Sequence, residues 1–327
     1  MRLLVTSSPF RSICKALGPK RRFIMARSLS TAHGPSKESI SRLAARIPEG
    51  TWDTHMHVVD PKKFPLSKDA KYQPATHTID DARKFFSGLG ISKMVIVQPS
   101  IYGNDNSCTL DGLKQLGLKN GRAVIQFDPD STSTKQLEEW HALGVRGVRL
   151  NFKSVGAKLE GGSLSTMLKK YANAVRPFNW HLELYIAMED LPLLEPAVHD
   201  LGGVKLCIDH FGHPSSASLS TAQSSAVLPG FTSLAILLNR GDVWIKVSAA
   251  YRLDRDPKHP LVQSLARYII RSRPDRCLFS TDWPHTRFED VDVALYLEEL
   301  FNWCDAENVS LKQILVDNAE ELFDAKG

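Results

Sequence analysis

A chain of 327 residues, 43% hydrophobic and 24% charged, has the composition of a globular enzyme. It is long enough to bury about three quarters of its unfolded surface without disulfide or metal staples. No apolar run approaches the ~18 residues of a membrane helix, and five scattered cysteines (Cys14, Cys108, Cys207, Cys277, Cys304) without a CxxC pair argue against a secreted disulfide scaffold and a zinc knuckle. The formal charge of +5 resides in residues 1–37, which hold eight Lys or Arg and no acid; the rest carries 33 basic against 36 acidic residues, or −3, and gives no case for nucleic acid.

The leader is Arg-rich, Ser-rich and acid-free up to Glu38. Those traits predict a mitochondrial transit peptide over 1–37. A start at Met25 would shorten it and leave the protein cytoplasmic. The body, 38–327, is expected to be a single domain.

Eight short runs rich in Val and Ile then read as strands buried on both faces. They cover residues 51–59, 93–99, 123–128, 145–152, 181–187, 204–210, 243–249 and 277–282. Segments with apolar residues at 3–4 spacing lie between them and predict helices over 78–88, 133–143, 164–173, 191–201, 233–239, 261–271 and 291–302. Thr78 followed by Asp80 and Asp81 suits a helix N-terminus. Strands alternating with helices at this length predict a (β/α)8 TIM barrel. A doubly wound open sheet is the alternative, but no GxGxxG follows an early strand.

In such a barrel the chemistry sits at the C-terminal strand ends. The first ends Asp53-Thr54-His55-Met56-His57, with His55 and His57 two apart and so on one side. The fourth carries Arg149 and Asn151, the fifth Tyr185, and the sixth ends Ile208-Asp209-His210. The seventh runs into Ser248 and Tyr251-Arg252, and the eighth ends Thr281-Asp282-Trp283-Pro284-His285. A lone buried histidine is ordinarily a core residue; a pair on one side of one strand is costly to leave unused. Ser100, Tyr102 and Asn104 follow the second strand, where loop residues can touch a ligand.

HxH on strand one, His after strand six and Asp after strand eight resemble the amidohydrolase superfamily. The phrases DTHMHV, IDHFGHP and STDWPH, with the closing LVDNAEELF, are most similar to the branch containing 2-pyrone-4,6-dicarboxylate lactonases and sugar lactonases, over about residues 50–325. Binuclear members place a Lys or Glu on strand four and a His on strand five. This chain has Arg149 and Asn151, then Tyr185. The resemblance therefore implies a metal-independent hydrolase without cofactor. The alternative is one zinc on His55, His57, His210 and Asp282.

On that reading Asp282 activates water, and His55, His57 and His210 polarise a lactone carbonyl. Arg149 and Arg252 clamp a carboxylate, while Tyr185, Ser100 and Asn151 complete the substrate contacts. An Arg252 salt bridge to Asp254 or Asp256 is the structural alternative. Two basic positions of the dicarboxylate lactonases are His213 and Val155 here, with Lys153 a partial replacement. This predicts a small-molecule lactone with one carboxylate, or a neutral sugar lactone, and neither nucleic acid nor membrane as partner. The rivals are a zinc-dependent decarboxylase of the superfamily and a non-catalytic binding protein.

Overall fold

The computed structural model describes residues 37–325; the leader expected over 1–37 falls, but for its last residue, outside the described residues. Eight parallel strands run in the order of the sequence: β1 (Trp52–Met56), β2 (Lys93–Val97), β3 (Gly121–Ile125), β4 (Val145–Asn151), β5 (His181–Tyr185), β6 (Leu206–Ile208), β7 (Val243–Ser248) and β8 (Cys277–Ser280). The connecting helices are α1 (Lys37–Ala44), α2 (Ile79–Ser87), α3 (Ser107–Asn120), α4 (Thr134–Leu143), α5 (Gly161–Val175), α6 (Leu191–Ala197), α7 (Ser216–Thr221), α8 (Phe231–Asn239), α9 (Pro260–Ser272), α10 (Val293–Ala306) and α11 (Asn318–Leu322). This is the (β/α)8 barrel that the alternation predicts.

The seam between β1 and β8 is irregular. Thr54 Oγ1 donates to Phe279 O at 2.8 Å, Asp282 N–H to His55 O at 3.0 Å and His57 N–H to Trp283 O at 2.8 Å. These bonds close the ring where the active-site candidates lie.

Each strand presents one face to the helices and one to the barrel centre. Ile96, Leu182, Leu184, Ile245, Val247 and Phe279 pack outward into the main core with the helices. Each such side chain contributes about 1.5–3 kcal/mol by leaving water. A second cluster fills the centre: Trp52, Val95, Val97, Val124, Cys207, Trp244 and Leu278, closed from below by Ala319, Leu322 and Phe323. Trp52 belongs to this inner cluster, yet His55, three residues on, also belongs to the centre. Simple alternation forbids that spacing; the pairing register of β1 shifts between Asp53 and Met56 and permits it.

The helix α3 is not among those predicted. Its glycines hide it: Gly112 approaches β2 so closely that a Cβ would meet Ile96 Cδ1 at 2.9 Å, and Gly117 has a φ of 70°. Helix α2 begins as predicted, with Thr78 and Asp81 exchanging hydrogen bonds in a capping box.

Candidate active site

Asp53 organises the site from behind. Its Oδ1 accepts the His55 N–H at 3.0 Å and its Oδ2 the Thr281 N–H at 2.8 Å, so one buried carboxylate straps β1 to the end of β8. The chain then turns sharply. Asp282 has φ 63°, His285 φ 60°, His210 φ 52° and Ala249 φ 51°, all left-handed non-glycine residues just past strands. Such conformations cost about 1–3 kcal/mol each and persist where surrounding packing over-determines them.

The result brings the sequence's chosen groups together. Asp282 Oδ1 lies 3.8 Å from His55 Nε2 and 3.5 Å from His57 Nε2. The rings of His55 and His210 stand 4.9 Å apart, and His210 Nδ1 is 2.8 Å from Ser248 Oγ. The other oxygen of Asp282 is held: Tyr251 Oη donates to Oδ2 at 2.7 Å and Arg252 Nε at 2.6 Å.

Burial alone would raise the Asp282 carboxyl. The Arg252 guanidinium, with His210, His57 and His55, outweighs that and holds it well below the usual carboxylate range. Asp282 is therefore ionised at neutral pH. Burial pushes His210 down to about 4, and burial with the Lys246 charge pushes His55 well below its ordinary value, so both rings are neutral there.

A narrow cleft opens above this group. Its lining includes His57, Ser100, Arg149, Asn151, Tyr185, His210, Arg252 and Asp282, joined by Tyr72 and Arg287. His55 does not line it; its side chain is fully buried behind the others. Asn104 is exposed, and the buried Tyr102 is spent on accepting the Asp60 N–H at 2.9 Å, so neither belongs to the cleft. A second cleft adjoins the first, lined by Lys153, Ser154, Tyr185, His213, Arg252, Arg287 and Phe288.

Individual partners refine the expected roles. Arg252 does not bridge to Asp254 or Asp256; it pairs with Asp282 through Nε. Arg149 Nη1 donates to Gln98 O at 2.9 Å, and its Nη2 lies 3.6 Å from Asp209 Oδ2. Asn151 Oδ1 accepts the Ser154 N–H at 3.1 Å, which shapes the loop after β4. Tyr185 Oη is 3.3 Å from His213 Nδ1. His57 Nδ1 lies 2.7 Å from Val97 O. A carbonyl only accepts, so Nδ1 carries the hydrogen, and Nε2 is the nitrogen left facing Asp282.

Sequence reasoning gave no role to five residues: Asp53, Glu183, Asp209, Lys246 and Tyr251. The last donates to Asp282. Glu183, Asp209 and Lys246 form a wholly buried ionic group beneath the cleft. A signal was present. HLELY in β5 and VWIKVS in β7 each set one charge in an apolar run. Glu183 sits two residues before Tyr185, and Lys246 two before Ser248, which puts each on the inward face.

The arrangement also juxtaposes metal-type ligands. His55, His210 and Asp282 bring ligand atoms within 4.8 Å of one another, and so do His55, Glu183 and Asp209. His57, the fourth member of the expected zinc set, is not in either trio.

The family model described as amidohydrolase matches residues 52–325. The chain belongs to the amidohydrolase family. It is 33% identical over 306 residues to a 4-sulfomuconolactone hydrolase of Hydrogenophaga intermedia, covering 89% of this chain and 93% of that one. To a 2-pyrone-4,6-dicarboxylate hydrolase of Comamonas testosteroni it is 29% identical over 291 residues, covering 85% and 91%. Among solved structures, a protein of Acinetobacter baumannii described as a probable 2-pyrone-4,6-dicarboxylic acid hydrolase, with citric acid bound, superposes with a TM-score of 0.69 at 26% identity, covering 84% of this chain and 99% of that one.

Proposed function

We propose that the protein hydrolyses a small lactone carrying an acidic group, without a metal. The observation that carries this reading is the division of labour on Asp282: Oδ2 is fixed by Tyr251 and Arg252, while Oδ1 is left to face His55 and His57. Relatives named for lactone hydrolysis support the substrate class.

A water between Asp282 Oδ1 and His57 Nε2 gives its proton to Asp282 as its oxygen bonds to the lactone carbonyl carbon. The carbonyl oxygen gains the negative charge, which the His55 Nε2–H stabilises from beneath the cleft. Collapse of the tetrahedral intermediate breaks the ring C–O bond, and Asp282 returns the proton to the leaving oxygen. His57, with its Nδ1–H given to Val97 O, meets that water through Nε2.

Arg252 engages Asp282 through Nε alone, so its Nη edge can receive a substrate carboxylate. That anion also shares the guanidinium charge and raises the basicity of Asp282 when substrate is in place. Arg149, Tyr185, Ser100 and Asn151 wall the same cleft. The free side of Arg252 supports an acidic lactone over a neutral sugar lactone.

A single zinc is the second reading, favoured by the His55–His210–Asp282 trio. The donor chemistry does not fit it. Lys246 Nζ lies 3.0 Å from His55 Nδ1, and an ammonium only donates. Nδ1 therefore accepts, and the ring hydrogen sits on Nε2, the atom that would have to ligate. A base held ready beside a cleft likewise speaks against a non-catalytic binder. The acid-free leader supports import into mitochondria.

The test is acid release from a panel of acidic and sugar lactones, with and without chelator, with Asp282→Asn as control. Hydrolysis that survives chelator and vanishes in the variant is expected. Turnover abolished by chelator and restored by zinc would overturn the metal-free mechanism, and silence on every lactone would overturn the substrate class.

A further inference from the structure

The barrel centre holds an ion that the proposed chemistry does not touch. Lys246 projects from the middle of β7 and is completely buried. Its Nζ lies 2.5 Å from Glu183 Oε2, 3.0 Å from His55 Nδ1 and 3.5 Å from Asp209 Oδ1. Those three acceptors come from β5, β1 and the end of β6. They are also one of the two trios whose ligand atoms gather within 4.8 Å. The ammonium thus donates to Glu183 and His55, with the Asp209 carboxylate beside it as a further counter-charge.

The consequence reaches the cleft through His55. The carboxylates at 3.3 Å (Asp209 Oδ1) and 3.4 Å (Glu183 Oε1) would accept from an Nδ1–H, but the nearer ammonium excludes one. With Nδ1 accepting, the hydrogen is on Nε2. That nitrogen is buried, has no hydrogen-bond partner in the protein, and faces Asp282 Oδ1 at 3.8 Å. It is an unpaired donor directed at Asp282 from beneath the cleft.

We propose that the Lys246 ammonium is the resident cation of the barrel centre and a positioning residue: it fixes His55 as the Nε2–H tautomer, which directs a donor at the reaction site from beneath the cleft and denies that nitrogen's lone pair to a metal. Arg149 Nη2 at 3.6 Å from Asp209 Oδ2 completes the balance, two cations against Glu183 and Asp209. His181 Nε2, 3.5 Å from Glu183 Oε2, borders the group from the floor side. The inference rests on the lactonase reading only for the effect on turnover. The tautomer is a property of the protein without substrate.

The experiment is nitrogen NMR of the full-length protein with labelled histidine, His55 being assigned by the signal lost in His55→Asn. The expected wild-type pattern is a protonated Nε2 and a bare Nδ1 on a neutral ring. A protonated Nδ1 in wild type overturns the proposal outright and needs no variant to fold. In Lys246→Met, His55 is expected to turn over to Nδ1–H against Asp209 and Glu183. Zinc alone is then expected to bind at one equivalent, where wild type retains none after dialysis. If Lys246→Met does not fold, the charge-balanced Glu183→Gln/Lys246→Met pair takes its place with the same expected tautomer. An unchanged His55 pattern in the variant that folds overturns the proposal. On an active lactone, kcat is expected to fall about 100-fold with KM little changed, the size of losing one oxyanion donor. A matching loss in KM alone would assign Lys246 to packing and overturn its positioning role. Silence on all lactones with the Nε2–H pattern intact would sink the lactonase reading and leave this one standing.

Discussion

The floor and the centre of the same barrel are equally buried and are held by different physics. The floor is apolar: Trp52, Val95, Val97, Val124, Trp244 and Leu278 meet Phe323 from below. Its stability comes from area removed from water and close packing, a sum of many small, independent contacts. A few ångströms higher, His55, Glu183, Asp209 and Lys246 leave no accessible surface either, yet they are stable only as a set. Each charge alone would carry a large desolvation penalty, which its partners offset. The floor thus closes the barrel through buried area, while the centre holds together through charge pairing.

The largest expected effect lies on the chemical side of that contrast. Asp282→Asn should lower kcat about a thousandfold, the middle of the range for a positioned base, while leaving the fold intact. Phe323→Ala should do the opposite: lose about 3–5 kcal/mol of stability by denaturant titration with kcat unchanged. If both variants lost activity and stability in parallel, the separation of floor from site would be wrong.

Next comes cooperativity. Lys246→Met should cost about 3–5 kcal/mol, because it strands two buried carboxylates. Adding Glu183→Gln should recover part of that loss, whereas Phe323→Ala should add to either within about 0.5 kcal/mol. Strict additivity of the Glu183 and Lys246 changes, measured in a double-mutant cycle, would reduce the centre to ordinary core.

The pH dependence is smaller and has a definite sign. The folded carboxyl of Asp282 is depressed, so the stability it contributes is complete above its ordinary value of 3.8 and is lost only as pH falls below that. Wild-type activity should accordingly show no acid limb from Asp282 above pH of about 4. Removing the cation in Arg252→Gln raises the carboxyl, and the acid limb of kcat should move to higher pH. An unmoved limb would mean that Arg252 does not set the charge of the base. The smallest expected effect is none: exhaustive chelation should leave hydrolysis unchanged.

Much of this molecule was legible because periodicity and motif spacing are local. Strand β7 was expected over 243–249 and runs Val243–Ser248; β8 was expected over 277–282 and runs Cys277–Ser280. HxH, His210 and Asp282 could be read as one site because a parallel barrel brings all strand C-termini to one rim. The glycine-bearing helix α3 was not legible, since what stabilises it is close approach to β2, a contact that its own pattern does not display.

Strand order, the rim on which the chemistry gathers and the family to which the chain belongs are readable from the chain alone, because buried parallel strands and their terminal motifs are written in composition and spacing. Only the tertiary structure decided the partners. That Arg252 turns to Asp282 instead of Asp254, that His57 gives its Nδ1–H to Val97 O, and that Lys246 meets His55 all depend on distances between residues far apart in the chain. A hydrogen's place on an imidazole is set by whichever atom stands within 3 Å of the other nitrogen, and closure of the barrel chooses that atom.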